Sequence, residues 1–272
     1  MLIKDKIQID IFINAMMFGF PFNAIVYVKR WMESWTSREN SIDLKFLGER
    51  RLNPMNQTKI EWCDITLNPI VGCPHGCNYC YARKMARRQK HRCELCYEFI
   101  PHPHLDRLDR INPTQKPKKI FIDSMWDWNA EGVEEQWHRV IIDKMRECSQ
   151  HTFQILSKRP IGYSRYEFPN NVWLGTSIAT DADCFRIDQL LQSNSNNIKF
   201  VSIEPIHGRI NHPFDGLDWI MVGAESGNRK GKIIPDNHWV REIIDRAKEK
   251  GIAVHVKENL NWPEVIKEYP IF

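Results

Sequence analysis

Six short apolar runs dominate the second half of the chain, at residues 119–122, 152–156, 172–178, 198–203, 217–222 and 252–256. They are rich in Val, Ile and Phe, and several are near-continuous rather than alternating, the pattern of parallel strands covered on both faces. They start roughly 20–35 residues apart, the spacing of strand–helix units. Helical patterns fill the gaps. Trp137, Val140, Ile141, Met145 and Cys148 recur at three- and four-residue steps, and Asp181 is placed to cap a helix carrying Phe185, Leu190 and Leu191. Pro235 and Asp236 open a third helix with Trp239, Val240, Ile243, Ile244 and Ala247 inward, and Gly251 closes it. The expected class is α/β, with a parallel sheet that is open or curled into a partial or full (β/α) barrel. No G-x-G-x-x-G and no Walker loop is present.

Polar residues follow the apolar runs: Asp123 and Ser124; Ser157, Lys158 and Arg159; Thr176 and Ser177; Glu204; Glu225 and Ser226; Lys257 and Glu258. The carboxyl ends of parallel strands form the ligand face of barrels and doubly wound sheets. Six runs ending in this way predict one shared site, against the alternative of ordinary strand ends meeting solvent.

Residues 1–54 read differently. The apolar stretch 11–28 is interrupted by Asn14, Gly19, Pro21 and Asn23, which argues against a membrane span, and Asp5 and Asp10 dilute a signal-like start. Met55-Asn56-Gln57-Thr58-Lys59-Ile60-Glu61-Trp62 reads as a native start, so residues 1–54 are expected to be an appendage or an over-long gene start. The functional domain is expected at 55–258, followed by a short docked tail at 259–272 that carries Trp262, Pro263 and Tyr269. Apolar residues make up 42% and charged residues 26% of the 272, which excludes a disordered or coiled-coil chain.

Eight cysteines are too few for a disulfide scaffold of this length. Three of them crowd together in Gly72-Cys73-Pro74-His75-Gly76-Cys77-Asn78-Tyr79-Cys80-Tyr81-Ala82. Clustered thiols without an export signal read as metal ligands in a reducing, cytoplasmic setting. Thiolates suit iron–sulfur clusters, zinc and copper(I). Structural zinc takes four protein ligands, and here His75 or a distant Cys would have to complete the set. Three thiolates on a four-iron cluster would leave one iron open to a small ligand.

The C-x3-C-x2-C spacing, with Tyr79 before the last Cys, resembles the signature of the radical S-adenosylmethionine superfamily. The blocks Thr58-Lys59-Ile60-Glu61-Trp62, Asn68-Pro69, Gly72-Cys73, Cys80-Tyr81-Ala82, Phe121-Ile122-Asp123-Ser124-Met125, Ser202-Ile203-Glu204-Pro205 and Val222-Gly223-Ala224-Glu225-Ser226-Gly227 resemble an uncharacterised branch of it common in phages and prophages. The resemblance implies a [4Fe–4S] cluster on Cys73, Cys77 and Cys80, in a loop after the first strand of a (β/α) barrel. It also implies S-adenosyl-L-methionine chelated by the open iron, an electron donor such as flavodoxin or ferredoxin, and a 5′-deoxyadenosyl radical that abstracts hydrogen from a substrate. Tyr79 would shield the cluster or touch the adenine. Asp123 and Ser124 would accept from the methionine ammonium, Ser177, Glu204 and Glu225 would serve ribose or ammonium, and Lys158 or Arg159 would meet a carboxylate. The superfamily's usual Gly-Gly-Glu segment is replaced here by Asp123-Ser124-Met125.

A basic insert follows. Residues 83–119 hold 11 basic and 4 acidic side chains, so most of the positive potential of a chain of net charge +4 lies there. Residues 81–92 read as a basic helix with Ala82, Met85 and Ala86 opposite the cations, a surface for phosphates or simply a solvated face. Cys93-x2-Cys96, with His102 and His104 downstream and His91 nearby, is a candidate zinc site, although H-P-H is not a finger spacing. The sequence therefore carries two functional expectations. One is a radical enzyme acting on an unidentified substrate, nucleic acid or another polyanion among the classes considered. The other is a non-catalytic zinc or iron–sulfur protein that binds nucleic acid through the insert. No membrane partner is expected.

Overall fold

The computed structural model describes residues 58–193 and 196–271. The expectations for residues 1–54 and for a start at Met55 lie outside the described residues. Seven strands form one parallel sheet, in the order β1 (Ile65–Thr66), β4 (Lys119–Phe121), β5 (Thr152–Ser157), β6 (Val172–Ile178), β7 (Lys199–Ile203), β8 (Trp219–Val222) and β9 (Ala253–Val256). The sheet is curled into a half-barrel, so the partial form of the expected architecture is the one adopted. Two further strands, β2 (Ile70–Val71) and β3 (His102–Pro103), pair antiparallel in a separate ladder.

The six apolar runs become β4 to β9 with boundaries shifted by at most two residues. Ile120, Ile155, Leu174, Val201, Ile220 and Val254 bury their side chains in one large core, together with helices α3 (Glu135–Glu147), α4 (Phe185–Leu191) and α5 (Asn237–Glu249). Side chains alternate along a strand, and the other parity forms a second core of Phe121, Trp173, Phe200, Trp219 and Met221, joined by Trp62 from the segment before β1. This aromatic packing leaves no room for a side chain at position 175. A Cβ on Gly175 would lie 2.4 Å from the Phe200 ring and 2.8 Å from Leu156.

The edges of the sheet, β1 and β9, do not pair. Glu61, just before β1, reaches the β9 end instead. Its carboxylate accepts from the Glu258 N–H at 3.2 Å and pairs with Lys267. After β9, Ile266 is buried, Lys267 bridges to His255, and the Tyr269 ring lies 5.2 Å from Trp219.

Three local expectations need correction. In α3 the buried face is His138, Ile141, Ile142 and Met145, while Val140 is exposed; the sheet selects a stripe rotated from the one read in the sequence. Ahead of α4 the cap is Thr180, in a reciprocal capping box with Asp183, and Asp181 instead accepts from the Asn211 N–H at 2.7 Å. Phe185 is exposed and Ile187 takes the inward position beside Leu190. The basic helix is shorter than read: α1 spans Tyr81–Ala86 and a 3₁₀ turn follows at Arg87–Gln89. Among the described residues no helix is long and apolar enough to cross a membrane.

His138 makes the fold acid-sensitive. Its Nε2–H donates to the Trp128 carbonyl at 2.7 Å and its Nδ1 accepts from the Tyr166 hydroxyl at 2.9 Å, so a second ring proton would displace the bond that Tyr166 donates and bury a charge. Burial pulls its pKa down to about 4. The unfolded chain takes that proton near an ordinary histidine value of about 6.5, so the stabilisation is complete above that pH and is lost as pH falls toward 4. Lowering the pH from 7 to about 4.5 should therefore cost roughly 2–3 kcal/mol through this residue. The check is a denaturant titration at both pH values, in which His138→Gln should flatten the dependence.

Candidate functional site

Strand parity places a polar rim above the aromatic floor. Ser177 follows Gly175 and Trp173 on the same side of β6, Glu204 follows Ser202 and Phe200 on β7, and Lys257 follows His255 on β9. Glu204 and Lys257 form an ion pair across the β8 end. Gly223 leaves space for it, since a Cβ there would meet Lys257 Cδ at 2.8 Å and Glu204 Cδ at 3.2 Å. Glu225 is buried and held by Arg229 through two bonds of 2.7 Å, which keep its carboxyl below the usual range, and His207 stands 3.7 Å away.

The cysteine loop follows β1 and lies over this rim. Asn68 stitches its start to the β4 end. The Asn68 side chain donates to Ser124 Oγ at 2.9 Å and accepts from the Met125 N–H at 2.8 Å. The Gly72 N–H donates to the Met125 carbonyl at 3.0 Å. Gly72 has φ +110°, and a Cβ there would lie 2.2 Å from the Ile100 carbonyl group, so no other residue fits. The middle of the loop is held by Asp127. One carboxylate oxygen accepts from Ser157 Oγ at 2.8 Å and the Asn129 N–H at 3.1 Å. The other accepts from the Lys158 N–H at 2.7 Å and pairs with His75 Nε2 at 3.2 Å. Burial alone would raise this carboxyl, but His75 and these donors outweigh it and hold it below the usual value.

Cys73, Cys77 and Cys80 are free and partly buried. Burial pushes the Cys73 thiol up to about 12, against the His75 N–H that donates to it, and Asp127, Cys77 and Cys80 add to the rise. The Arg83 N–H donates to Cys80 Sγ at 3.4 Å. Among the described residues, the three are not drawn together with His75 or a carboxylate into a compact single-ion set. A cavity of about 450 Å³ opens beside Cys77 and Tyr79, with Lys158, Arg159 and Asp183 on its wall.

The remaining expected site residues divide into three groups. Tyr79 and Lys158 meet at this cavity: Lys158 Nζ donates to the Tyr79 hydroxyl at 3.2 Å, and the Tyr79 ring stands edge-on to His207 at 5.4 Å. Ser177, Glu204 and Glu225 line the rim. Asp123 and Ser124 sit deeper in the structure. Asp123 is 2% exposed, accepts from the Leu156 N–H at 2.8 Å, and has its carboxyl pushed well up by burial and by Asp127, with Oδ1 left unpartnered. Ser124 serves Asn68, and its carbonyl accepts from the Tyr81 hydroxyl at 2.7 Å. Asp127, His207 and Arg229 were not legible as site residues. The one available signal was the charge of Asp127 set between Trp126 and Trp128.

The second thiol group is compact. Cys93, Cys96, His102 and His104 bring their ligand atoms within 4.8 Å of one another, a set that could hold a metal such as zinc. His91 is exposed and stands outside it.

Fold and site together define an α/β half-barrel with a thiol-bearing loop at the carboxyl mouth of its sheet. The family model described as "Protein of unknown function (DUF5131)" matches residues 57–268, and the chain belongs to that family. No curated protein and no solved structure matches it.

Asp127→Asn tests how the loop is held. Whichever way the amide turns, its NH2 faces one of the donors that the carboxylate now accepts from. The variant should lose about 3 kcal/mol in denaturant titration. In the metal-free protein, Cys77 should react several-fold faster with a thiol reagent; an unchanged rate would remove Asp127 from this role.

Proposed function

We propose that the protein is a radical S-adenosylmethionine enzyme in which Cys73, Cys77 and Cys80 hold a [4Fe–4S] cluster and the cavity beside Cys77 and Tyr79 admits S-adenosyl-L-methionine. The observation that supports the reading is three free thiols in one loop with glycines at positive φ, which leaves β2 and meets the β5 end through His75–Asp127 and Tyr79–Lys158. When bound, this pair would supply reductive cleavage of the sulfonium C–S bond and a 5′-deoxyadenosyl radical for hydrogen abstraction, with electrons from a flavodoxin- or ferredoxin-like donor. The chain's own residues bind and orient. Backbone N–H groups of His75 and Arg83 donate to Cys73 and Cys80. Lys158, its cation 5.6 Å from the centre of the Tyr79 ring, is placed to meet a carboxylate. Glu204, Glu225 and Ser177 offer acceptors along the rim, with Glu204 already neutralised by Lys257. Asp123 and Ser124 act in this reading through the loop they support. The aromatic floor of Trp62, Trp173, Phe200 and Trp219 excludes water from below.

The insert favours an anionic substrate. Arg83 and Arg107 turn inward and donate to the Cys73 carbonyl at 2.9 Å and the Asn68 carbonyl at 2.7 Å. Lys84, Arg87, Arg88, Lys90 and Arg92 remain exposed on the segment leading away from Cys80. A nucleic acid is the polyanion that such a cluster would hold most strongly at low salt.

Anaerobic reconstitution with iron and sulfide should give a brown protein with about four irons per chain, and reduction in the presence of S-adenosylmethionine should release 5′-deoxyadenosine. Replacing all three cysteines by Ala should abolish both; a colourless wild-type protein would defeat the proposal. Arg87→Glu with Arg88→Glu should weaken binding of a single-stranded oligonucleotide at low salt about tenfold or more and flatten its salt dependence. Equal binding by variant and wild type would remove nucleic acid from the substrate class.

A further inference from the structure

We propose that Cys93, Cys96, His102 and His104 form a closed structural zinc site that braces the loop carrying Cys73, independently of what Cys73, Cys77 and Cys80 hold. The geometry is that of a four-ligand set drawn from two elements. Cys93 caps helix α2 (Glu94–Glu98) and Cys96 sits one turn on, so both thiols project to the same side. His102 begins β3 and His104 stands just past its end, two residues on, where the alternation of a strand still brings both side chains to one side. H-P-H is thus the strand counterpart of the wider histidine spacing used on helices. Cys96 Sγ lies 3.3 Å from His102 Nε2 and 3.2 Å from His104 Nε2, and Cys93 Sγ lies 3.4 Å from His102 Nε2. Tetrahedral zinc with ordinary Zn–S and Zn–N bonds spaces such S and N ligands about 3.5 Å apart, so these separations need change by only a few tenths of an ångström. The two Nε2 atoms are 2.8 Å apart and would open by about half an ångström around the ion.

The surroundings suit a metal. His102 Nδ1–H donates to the Ile100 carbonyl at 2.7 Å, which leaves Nε2 with its lone pair toward the thiols, as an oriented zinc-binding histidine requires. The Cys96 N–H donates to Cys93 Sγ at 3.5 Å, which supports a thiolate there. Two thiolates and two neutral imidazoles neutralise a divalent ion, so the half-buried site carries no net charge. Four protein ligands leave no open position, which marks a structural rather than a catalytic ion.

The same segment holds the cysteine loop. β3 pairs with β2, Val71 opposite His102, and Gly72 and Cys73 follow directly. The Cys73 N–H donates to the Phe99 carbonyl at 3.1 Å, the His104 N–H donates to the Pro69 carbonyl at 2.6 Å, and the Arg83 guanidinium stands 5.1 Å from the centre of the Phe99 ring. Fixing residues 93–104 around an ion therefore fixes the backbone on which Cys73 rests.

The full chain purified from zinc-supplemented cells should hold about one zinc per chain, and zinc X-ray absorption should report two sulfur and two nitrogen neighbours. The zinc should survive replacement of Cys73, Cys77 and Cys80 by Ala and fall at least tenfold in Cys96→Ser and in His104→Gln. Stripping zinc from the triple-Ala chain should lower its melting temperature, and adding zinc alone should restore it. Three-sulfur coordination, loss of zinc with the Cys73 group, a Cys93–Cys96 disulfide in the purified chain, or no bound zinc would each overturn the proposal. Since the triple-Ala chain carries no ligands for an iron cluster, these results stand apart from the test of the radical reading.

Discussion

An open parallel sheet that curls must fill its concave side without a second layer of helices, and this constraint organises the molecule. The chain meets it with aromatic side chains of one strand parity, Phe121, Trp173, Phe200 and Trp219, and closes the packing with Trp62 from outside the sheet. Gln154, fully buried among them, donates to the Trp62 carbonyl at 3.4 Å and ties that residue to the floor. With the lower half of the concavity solid, a ligand can enter only at the carboxyl ends of the strands, where the same parity turns polar. The gap between β1 and β9 is spanned by the Glu61 carboxylate rather than by strand pairing. A half-barrel with an unpaired gap thus gains a definite floor and rim from side chains alone.

The rim and the thiol loop are one unit because of Asp127. Burying a carboxylate is costly unless donors and a cation surround it. Here the donors come from the β5 end, from the Asn129 N–H and from His75, so the condition that makes the buried carboxylate tolerable also fixes the loop on the strand ends. Asn68 repeats the device with a neutral amide against Ser124 and Met125. The proposed cofactor chemistry needs such a loop to be rigid before any group binds, since a thiol set that must reorganise gives up binding energy to do so.

Much of this was legible in the sequence, and the parts that were not share a cause. Near-continuous apolar runs gave β4 to β9 because a strand buried on both faces writes its length directly in Val, Ile and Phe. The polar residues after them gave Tyr79's partner Lys158 and the Glu204–Lys257 rim. What failed depended on which neighbour a side chain meets. Val140 and Ile142 are equally apolar, and only the sheet decides which is buried. Asp123 and Asp127 are both aspartates after one strand, yet the first ends with its carboxyl pushed up and the second with its carboxyl held down, because only the second has His75, Ser157 and the Lys158 N–H around it. Spacing of four residues cannot carry that distinction; three-dimensional placement of His75 does.

Between β1 and β4 the chain places two thiol groups, with Cys80 and Cys93 13 positions apart, and gives them different geometries. In the first, Gly72 and Gly76 take positive φ and the cysteines are carried on irregular backbone, not gathered with other ligands around one point. Each iron of a cube takes its own thiolate, so ligands of a cluster stand farther apart than ligands that share a single ion. In the second, a helical turn and an extended strand aim four atoms at one centre. Regular structure brings ligands to a point, whereas glycine-rich loop spreads them over a surface with N–H groups exposed between. The two sets therefore differ in backbone geometry before ligand chemistry is considered, and only the second converges on one point. The hydrogen bonds from Cys73 to Phe99 and from His104 to Pro69 make the convergent set the support of the dispersed one.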